Sequence, residues 1–192
     1  MDSKKKTIII LLVIVALLTV SAYSFFAGNY NTFVRLDQAV KSAWAQVENQ
    51  LQRRFDLVPN LVATVKGYAS HETQIFTEVT KLRTQWMSAP SVPEKVEAAN
   101  QLTGMLSRLI AVSENYPDLK ANQNFLELQS QLEGTENRIS VERMRYNQAV
   151  QSFNAFQRSF FGRFFCAQTG LNQPAVYFKA DERSKEVPKV SF

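Results

Sequence analysis

One cysteine and one histidine among 192 residues leave little material for metal or nucleophilic chemistry. Cys166 has no partner for an intramolecular disulfide and cannot build a zinc cluster, so cysteine usage says nothing of the redox compartment. A carboxylate-bridged two-metal site in a helical bundle takes Glu-x-x-His from each of two helices, which His71 alone cannot supply. Its place before a helical run reads as polar surface. Cys166, set among Phe164, Phe165 and Ala167, reads as an inert thiol, buried or facing lipid. No glycine loop of the phosphate-binding kind is present. With 6 Gly and 6 Pro the turn chemistry of an all-β fold is missing too, which favours helices. The formal charge of +5 is mild, and part of it belongs to Lys4, Lys5 and Lys6; no basic stripe of the nucleic-acid kind runs through the chain. The residues therefore name no catalytic group, metal, cofactor, nucleic acid or small-molecule substrate.

What the chain does have begins with an uncharged run from Thr7 to Phe26. As a helix it spans roughly 30 Å, the thickness of one hydrocarbon core. A cleaved signal peptide would want small residues at the cleavage site, whereas the best site, after Ala27, puts Phe25 three residues back; an uncleaved anchor fits better. Lys4, Lys5 and Lys6 abut one end, while the other flank offers only Arg35 and Lys41 farther off, so the amino terminus is expected in the cytoplasm and the bulk of the chain outside. The opposite topology is the alternative. The expected divisions are a basic segment 1–6, an anchor 7–27, a helical bundle 29–166 and an extended tail 167–192. The length suits one domain with a core.

From Asn31 apolar residues recur in steps of three and four: Phe33, Leu36, Val40, Trp44, Val47, Leu51, Phe55, Val58, Leu61, Val65 and Tyr68. Pro59 predicts a kink or restart between Asp56 and Asn60. Ser70 followed by Glu72 reads as the cap of a second helix with the stripe Ile75, Phe76, Val79, Leu82 and Trp86. Ala89 to Pro93 is a connector, and Val96, Ala99, Leu102, Met105, Leu106, Leu109 and Ile110 mark a third helix. Pro117 opens a fourth, expected to run unbroken to about Phe165 along Phe125, Leu132, Ile139, Tyr146, Phe153 and Phe160. The fold class is all-α: a transmembrane helix followed by an antiparallel bundle of two long helices and a shorter helical hairpin, narrowing to a two-helix stalk toward the bilayer.

Charges interrupt the two long stripes at one level. Pairing the membrane ends of two antiparallel helices brings Arg53, Arg54 and Asp56 opposite Glu136, Asn137, Arg138, Glu142 and Arg143. The expected pairs are Arg54 with Glu136 or Glu142, and Asp56 with Arg138 or Arg143, with Glu48 as a second candidate for Arg143. A network that sets the register of the helices is preferred over a proton-transfer site.

These segments resemble the LemA family. The resemblance rests on the apolar amino terminus, Tyr30-Asn31, Arg54-Phe55-Asp56-Leu57-Val58-Pro59-Asn60-Leu61-Val62, Val65-Lys66-Gly67-Tyr68, the Gly134-Thr135-Glu136-Asn137-Arg138-Ile139 motif, Arg143, Tyr146-Asn147, Asn154, Tyr177-Phe178 and the closing Pro188-Lys189-Val190-Ser191-Phe192. One departure is Phe160-Phe161-Gly162, where the family usually has Phe-Pro. The resemblance implies a single-pass bacterial membrane protein with a helical body and supplies no reaction or cofactor. It also implies kinship with proteins of internal bacterial membranes and with relatives linked to TPM-domain partners.

Two surfaces remain. Phe160, Phe161, Phe164 and Phe165, interleaved with Arg158 and Arg163, suit either the headgroup region or the end of a helical core. Val187 to Phe192, with Val190 and Phe192 as its apolar contacts, reads as a disordered end or one that docks on a partner or neighbouring copy. The expected function is a scaffold in the bacterial inner membrane that binds a protein partner or itself as a homo-oligomer, with no catalysis. The alternative is membrane shaping, with the lipid bilayer as the partner of the aromatic and basic end.

Overall fold

The computed structural model describes residues 3–69, 71–171 and 173–178. The described chain is all-helical apart from connections and one extended segment: α1 Ser3–Lys66, α2 Thr73–Ser88, α3 Val92–Ser113, α4 Pro117–Lys120, α5 Gln123–Gln157 and α6 Phe160–Thr169. Where its length suggests one domain, its contacts divide it into two compact units, residues 1–42 with 148–175 and residues 43–147 with 176–192. Helices α1 and α5 contribute to both.

The apolar stretch and the first long stripe are a single helix. No break separates anchor from body, because Gly28 to Thr32 keeps helical hydrogen bonding, with Asn29 and Thr32 side chains donating back to carbonyls of the preceding turn. Pro59 likewise does not restart the helix; α1 continues through it to Lys66. Pro59 is exposed and offers no N–H to the Phe55 carbonyl, so the helix gives up one backbone hydrogen bond there and is held by the buried Phe55, Val58 and Leu61 around it.

In the second unit the core sets the rings of Phe55, Phe76, Trp86 and Phe125 among aliphatic side chains. Val47, Leu51, Phe55, Val58, Leu61 and Val65 of α1 are buried with Phe76, Val79, Leu82 and Trp86 of α2, Leu102 and Leu109 of α3, and Phe125, Leu132 and Ile139 of α5. Phe55 stacks on Trp86 at 4.6 Å. Trp44 meets Tyr146 while Arg54 meets Glu136, so residue numbers fall along α5 as they rise along α1: the two run antiparallel here. Helix α3 begins earlier than the two-proline connector suggests. Ser91 caps it, accepting from the Glu94 N–H and donating to the Glu94 carboxylate, and Pro93 lies in its first turn. Helix α2 begins at Thr73 with Glu72 at its cap position and no side-chain cap; Ser70, expected there, lies outside the described residues.

The expected fourth helix is three. Pro117 opens only the four-residue α4, because Asn122 turns its carboxamide oxygen to the Phe125 N–H and starts α5 afresh. At the far end Ser159 accepts from the Gly162 N–H and starts α6. A Cβ at Gly162 would collide with the Phe156 carbonyl, so only glycine permits this close approach.

The first unit accordingly is not a two-helix stalk. Phe33 of α1, Phe153 of α5 and Phe165 and Cys166 of α6 form its core, flanked by Leu36, Val40, Phe156, Phe161, Leu171 and Ala175. Gly170, at φ 75°, ends α6 in the left-handed conformation and releases the chain into an extended segment.

Candidate functional site

The charges of the second unit gather around one carboxylate. Arg54, only 5% exposed, donates through Nη1 to Glu136 Oε2 at 2.6 Å and to the Thr103 hydroxyl at 3.1 Å, so α1, α3 and α5 meet at one guanidinium. Burial lowers the Arg54 pKa, and the Glu136 charge opposes that shift. Arg143, half-buried, is lowered by burial as well; Glu136 supports its charge and Arg54 opposes it. Its Nε and Nη2 find no hydrogen-bond partner among the described residues, and its guanidinium lies 4.2 Å over the ring of Phe178. One carboxylate therefore serves two guanidinium groups. Cations outnumber the anion there, and a fixed structural contact is favoured over proton transfer, because arginine does not release its proton near neutral pH.

The other expected pairs form differently. Asp56 is exposed and meets neither Arg138 nor Arg143; it accepts from Gln52 at 2.9 Å and sits 3.9 Å from Arg83. The reason is rotational: Arg54 and Phe55 turn inward on α1, which carries Asp56 out of the interface. Glu48 pairs with Lys95 of α3 rather than with Arg143, and Lys95 lies 5.7 Å over Trp86. Glu142 pairs with Arg145 on its own helix at 2.7 Å. Arg53, Asn137 and Arg138 are exposed; Asn137 and Arg138 line a shallow surface depression with Gln50, Val141, Glu142 and Arg145. The Arg138 guanidinium lies beside Gly134, where an added Cβ would sit 3.6 Å from it.

The remaining polar contacts use neutral amides. In the first unit Asn154, 6% exposed, donates to the Ala175 carbonyl at 3.0 Å and accepts from the Ala175 N–H at 2.9 Å. Gln157 donates to the Leu171 carbonyl at 2.8 Å. In the second unit Asn147 grips Phe178 in the same two-bond manner, at 3.0 and 2.8 Å, and Tyr146 donates its hydroxyl to the Val176 carbonyl at 2.9 Å. A carboxamide presents one donor and one acceptor, the same pair a neighbouring strand would present, so it can satisfy an extended backbone without a sheet. Burial raises the Tyr146 pKa and keeps its phenol protonated as a donor.

A family model described as the LemA family matches residues 43–192. The chain belongs to the LemA family. Among its relatives, Magnetosome protein MamQ 2 of Paramagnetospirillum magneticum is 26% identical over 170 residues, which cover 74% of this chain and 62% of the relative. Protein LemA of Metamycoplasma hominis is 23% identical over 168 residues, covering 86% of this chain and 76% of the relative. Magnetosome protein MamQ of Magnetospirillum gryphiswaldense is 23% identical over 151 residues, covering 65% and 56%. The chain thus spans about three fifths of the length of the MamQ relatives, 62% and 56% for the two named.

The rest of this LemA-family chain offers little reactive chemistry among the described residues. No group of three or more His, Cys, Asp or Glu side chains is arranged to hold a metal ion there. His71 is exposed in the turn before α2. Cys166 is buried, and burial together with Asp37 raises its thiol pKa, away from a reactive thiolate. Arg158, Phe160, Arg163 and Phe164 are exposed, whereas Phe161 is half-buried and Phe165 is in the core. Val190 and Phe192 lie outside the described residues. The amide contacts escaped the sequence reading because neutral Asn and Gln carry no periodicity or charge signal. The one available cue was their spacing: Asn147, Asn154 and Gln157 share a helical face with buried Tyr146, Val150 and Phe153.

Proposed function

We propose that this LemA-family protein is a membrane-anchored helical scaffold, without catalysis of its own, that binds a protein partner or further copies of itself. One observation carries the reading. The side chains of Ile8 to Phe26 are all exposed, none of them is charged, and they stand on the same unbroken helix that supplies core residues to both units. A stretch of that length and composition satisfies its backbone internally and needs lipid around its side chains. The continuation of that helix into packed helices tethers whatever the body binds to the membrane. The polar residues of α5 support a structural role, since Glu136, Asn147 and Asn154 are engaged with the chain's own groups.

The membrane is taken to be the bacterial inner membrane, with the amino terminus cytoplasmic and the helical units outside. The partner is another copy of the chain or, by family resemblance, a TPM-domain protein. Crosslinking in intact membranes followed by mass identification of the neighbours tests this. Recovery of one protein neighbour, or of the chain itself, at stoichiometric yield is the expected result. Monomeric chain with no neighbour, or turnover of a substrate by the purified protein, would contradict it. A second reading, action on lipid, draws on the exposed Phe160 and Phe164 beside Arg158 and Arg163.

A further inference from the structure

The described surface of α6 divides sharply. Gly162, Phe165 and Cys166 are buried and Phe161 is half-buried, while Phe160 is 83% exposed and Phe164 49% exposed. Phe160, Phe164 and Ala167 follow one another at helical spacing, so the exposed rings share a face, with Arg163 beside them and Arg158 just before the helix. An exposed phenylalanine pair is costly in water and asks for a cover.

The aromatic contacts of α6 indicate which cover. Phe161 packs edge-on against Phe25 at 5.1 Å, and Phe26 meets Phe165 at 5.1 Å and Phe164 at 6.1 Å. Phe25 and Phe26 close the run from Thr7 to Phe26 on α1, and they too remain largely exposed, at 58% and 48%. Phe160 touches Phe161 at 5.1 Å. The exposed apolar surface of the membrane stretch therefore continues without interruption onto α6. Where an anchoring helix leaves the hydrocarbon core, aromatic rings and arginines are the residues the headgroup region accommodates best.

We infer that α6 is an interfacial helix: Phe160 and Phe164 bed into the headgroup boundary, Arg158 and Arg163 meet anionic lipid phosphates, and the packing on Phe25 and Phe26 fixes how deep α1 sits. The inference rests on α1 being a membrane anchor. It gives Ser159 and Gly162 a purpose, since the break they create swings α6 out of line with α5 and lays its aromatic face beside the end of the membrane stretch. A second anchoring surface that holds depth also suits a scaffold, whose partner must be met at a set distance from the bilayer.

The full chain, reconstituted in phosphatidylcholine vesicles with and without phosphatidylglycerol, allows a direct test. In a Cys166→Ala background a polarity-sensitive fluorophore is placed at Phe160→Cys, at Phe164→Cys or, in the anchor, at Ile14→Cys. Both α6 positions are exposed, so labelling there leaves the core intact, and the helical circular dichroism of each variant checks this. The expected result is blue-shifted emission at 160 and 164, quenched by lipids spin-labelled near the headgroup and shielded from aqueous iodide, with the Ile14 position quenched by deep labels. Arg158→Gln with Arg163→Gln should reduce the additional shift that phosphatidylglycerol produces. Water-like, iodide-quenched emission at 160 and 164 with the Ile14 probe in hydrocarbon overturns the inference alone, and bifunctional crosslinking from the same cysteines would then show whether a second copy covers the face. Water-like emission at all three positions contradicts the anchor as well.

Discussion

Two sets of polar residues on α5 work by opposite means. The charged set, Glu136 and Arg143 facing Arg54, has more cation than anion, leaves Arg143 Nε and Nη2 without partners among the described residues, and holds a guanidinium that burial disfavours. The neutral set, Asn147 and Asn154, satisfies donor and acceptor together against single residues of an extended segment, with no charge to desolvate. Charge attracts attention in a sequence because its burial is expensive. The amides hold backbone that no strand pairs with, and they do so more completely.

The comparison can be broken by substitution. The largest effect is expected at the amides: Asn154→Ala and Asn147→Ala should each lower stability by about 2 to 3 kcal/mol, because two hydrogen bonds disappear and a part-buried N–H and C=O are stranded together. Urea unfolding followed by circular dichroism measures it. Close behind, Gly162→Ala should cost about 2 to 3 kcal/mol through overlap with the Phe156 carbonyl, and should expose Cys166 to thiol reagents as α6 loosens. Next, Glu136→Gln removes the carboxylate paired with Arg54 and should cost about 2 kcal/mol, less than a fully buried pair because Glu136 is 41% exposed. Arg143→Met should change stability by less than about 1 kcal/mol, since the lost contact with Phe178 is offset by relief of desolvation and of repulsion from Arg54.

The smallest effect is a pH dependence. Tyr146 has a pKa raised above the ordinary 10.0, so the folded state holds its proton more tightly than the unfolded chain. Its contribution is complete below that ordinary value and is lost as pH rises through the folded one. Tyr146→Phe should remove this part of the alkaline loss of stability while costing about 1 kcal/mol at neutral pH through the lost bond to Val176.

Much of the helical body is legible in the residues. The stripes from Val47 to Val65, Phe76 to Trp86 and Ala99 to Leu109 are buried as their spacing implies, whereas Leu36, Val40, Trp44, Ile75, Val96 and Ile110 are only half-buried and Tyr68 is exposed; Arg54 does reach Glu136. What escaped reading was local capping. Asn122 and Ser159 each begin a helix inside a pattern that reads as continuous, because a cap changes the path of the backbone without disturbing the apolar period. Pro59 misled in the other direction: one missing hydrogen bond does not break a helix whose neighbouring Phe55, Val58 and Leu61 are packed in the core, so the helix survives. The pairing of Asp56 failed because neighbouring residues on a helix diverge by about 100°, and burying Arg54 and Phe55 turns Asp56 outward. A tail beyond α6 is expected from the residues, but its attachment to α5 through Ala175, Val176 and Phe178 is not, since its partners are uncharged side chains far away in sequence.

Hydrogen exchange at the Phe178 and Ala175 amides tests most directly whether the neutral side chains of α5 hold the chain that follows α6. Protection at both amides in the full-length protein, lost at Phe178 in Asn147→Ala and at Ala175 in Asn154→Ala, is the predicted result. Exchange at both amides as fast as in an unstructured peptide would contradict it.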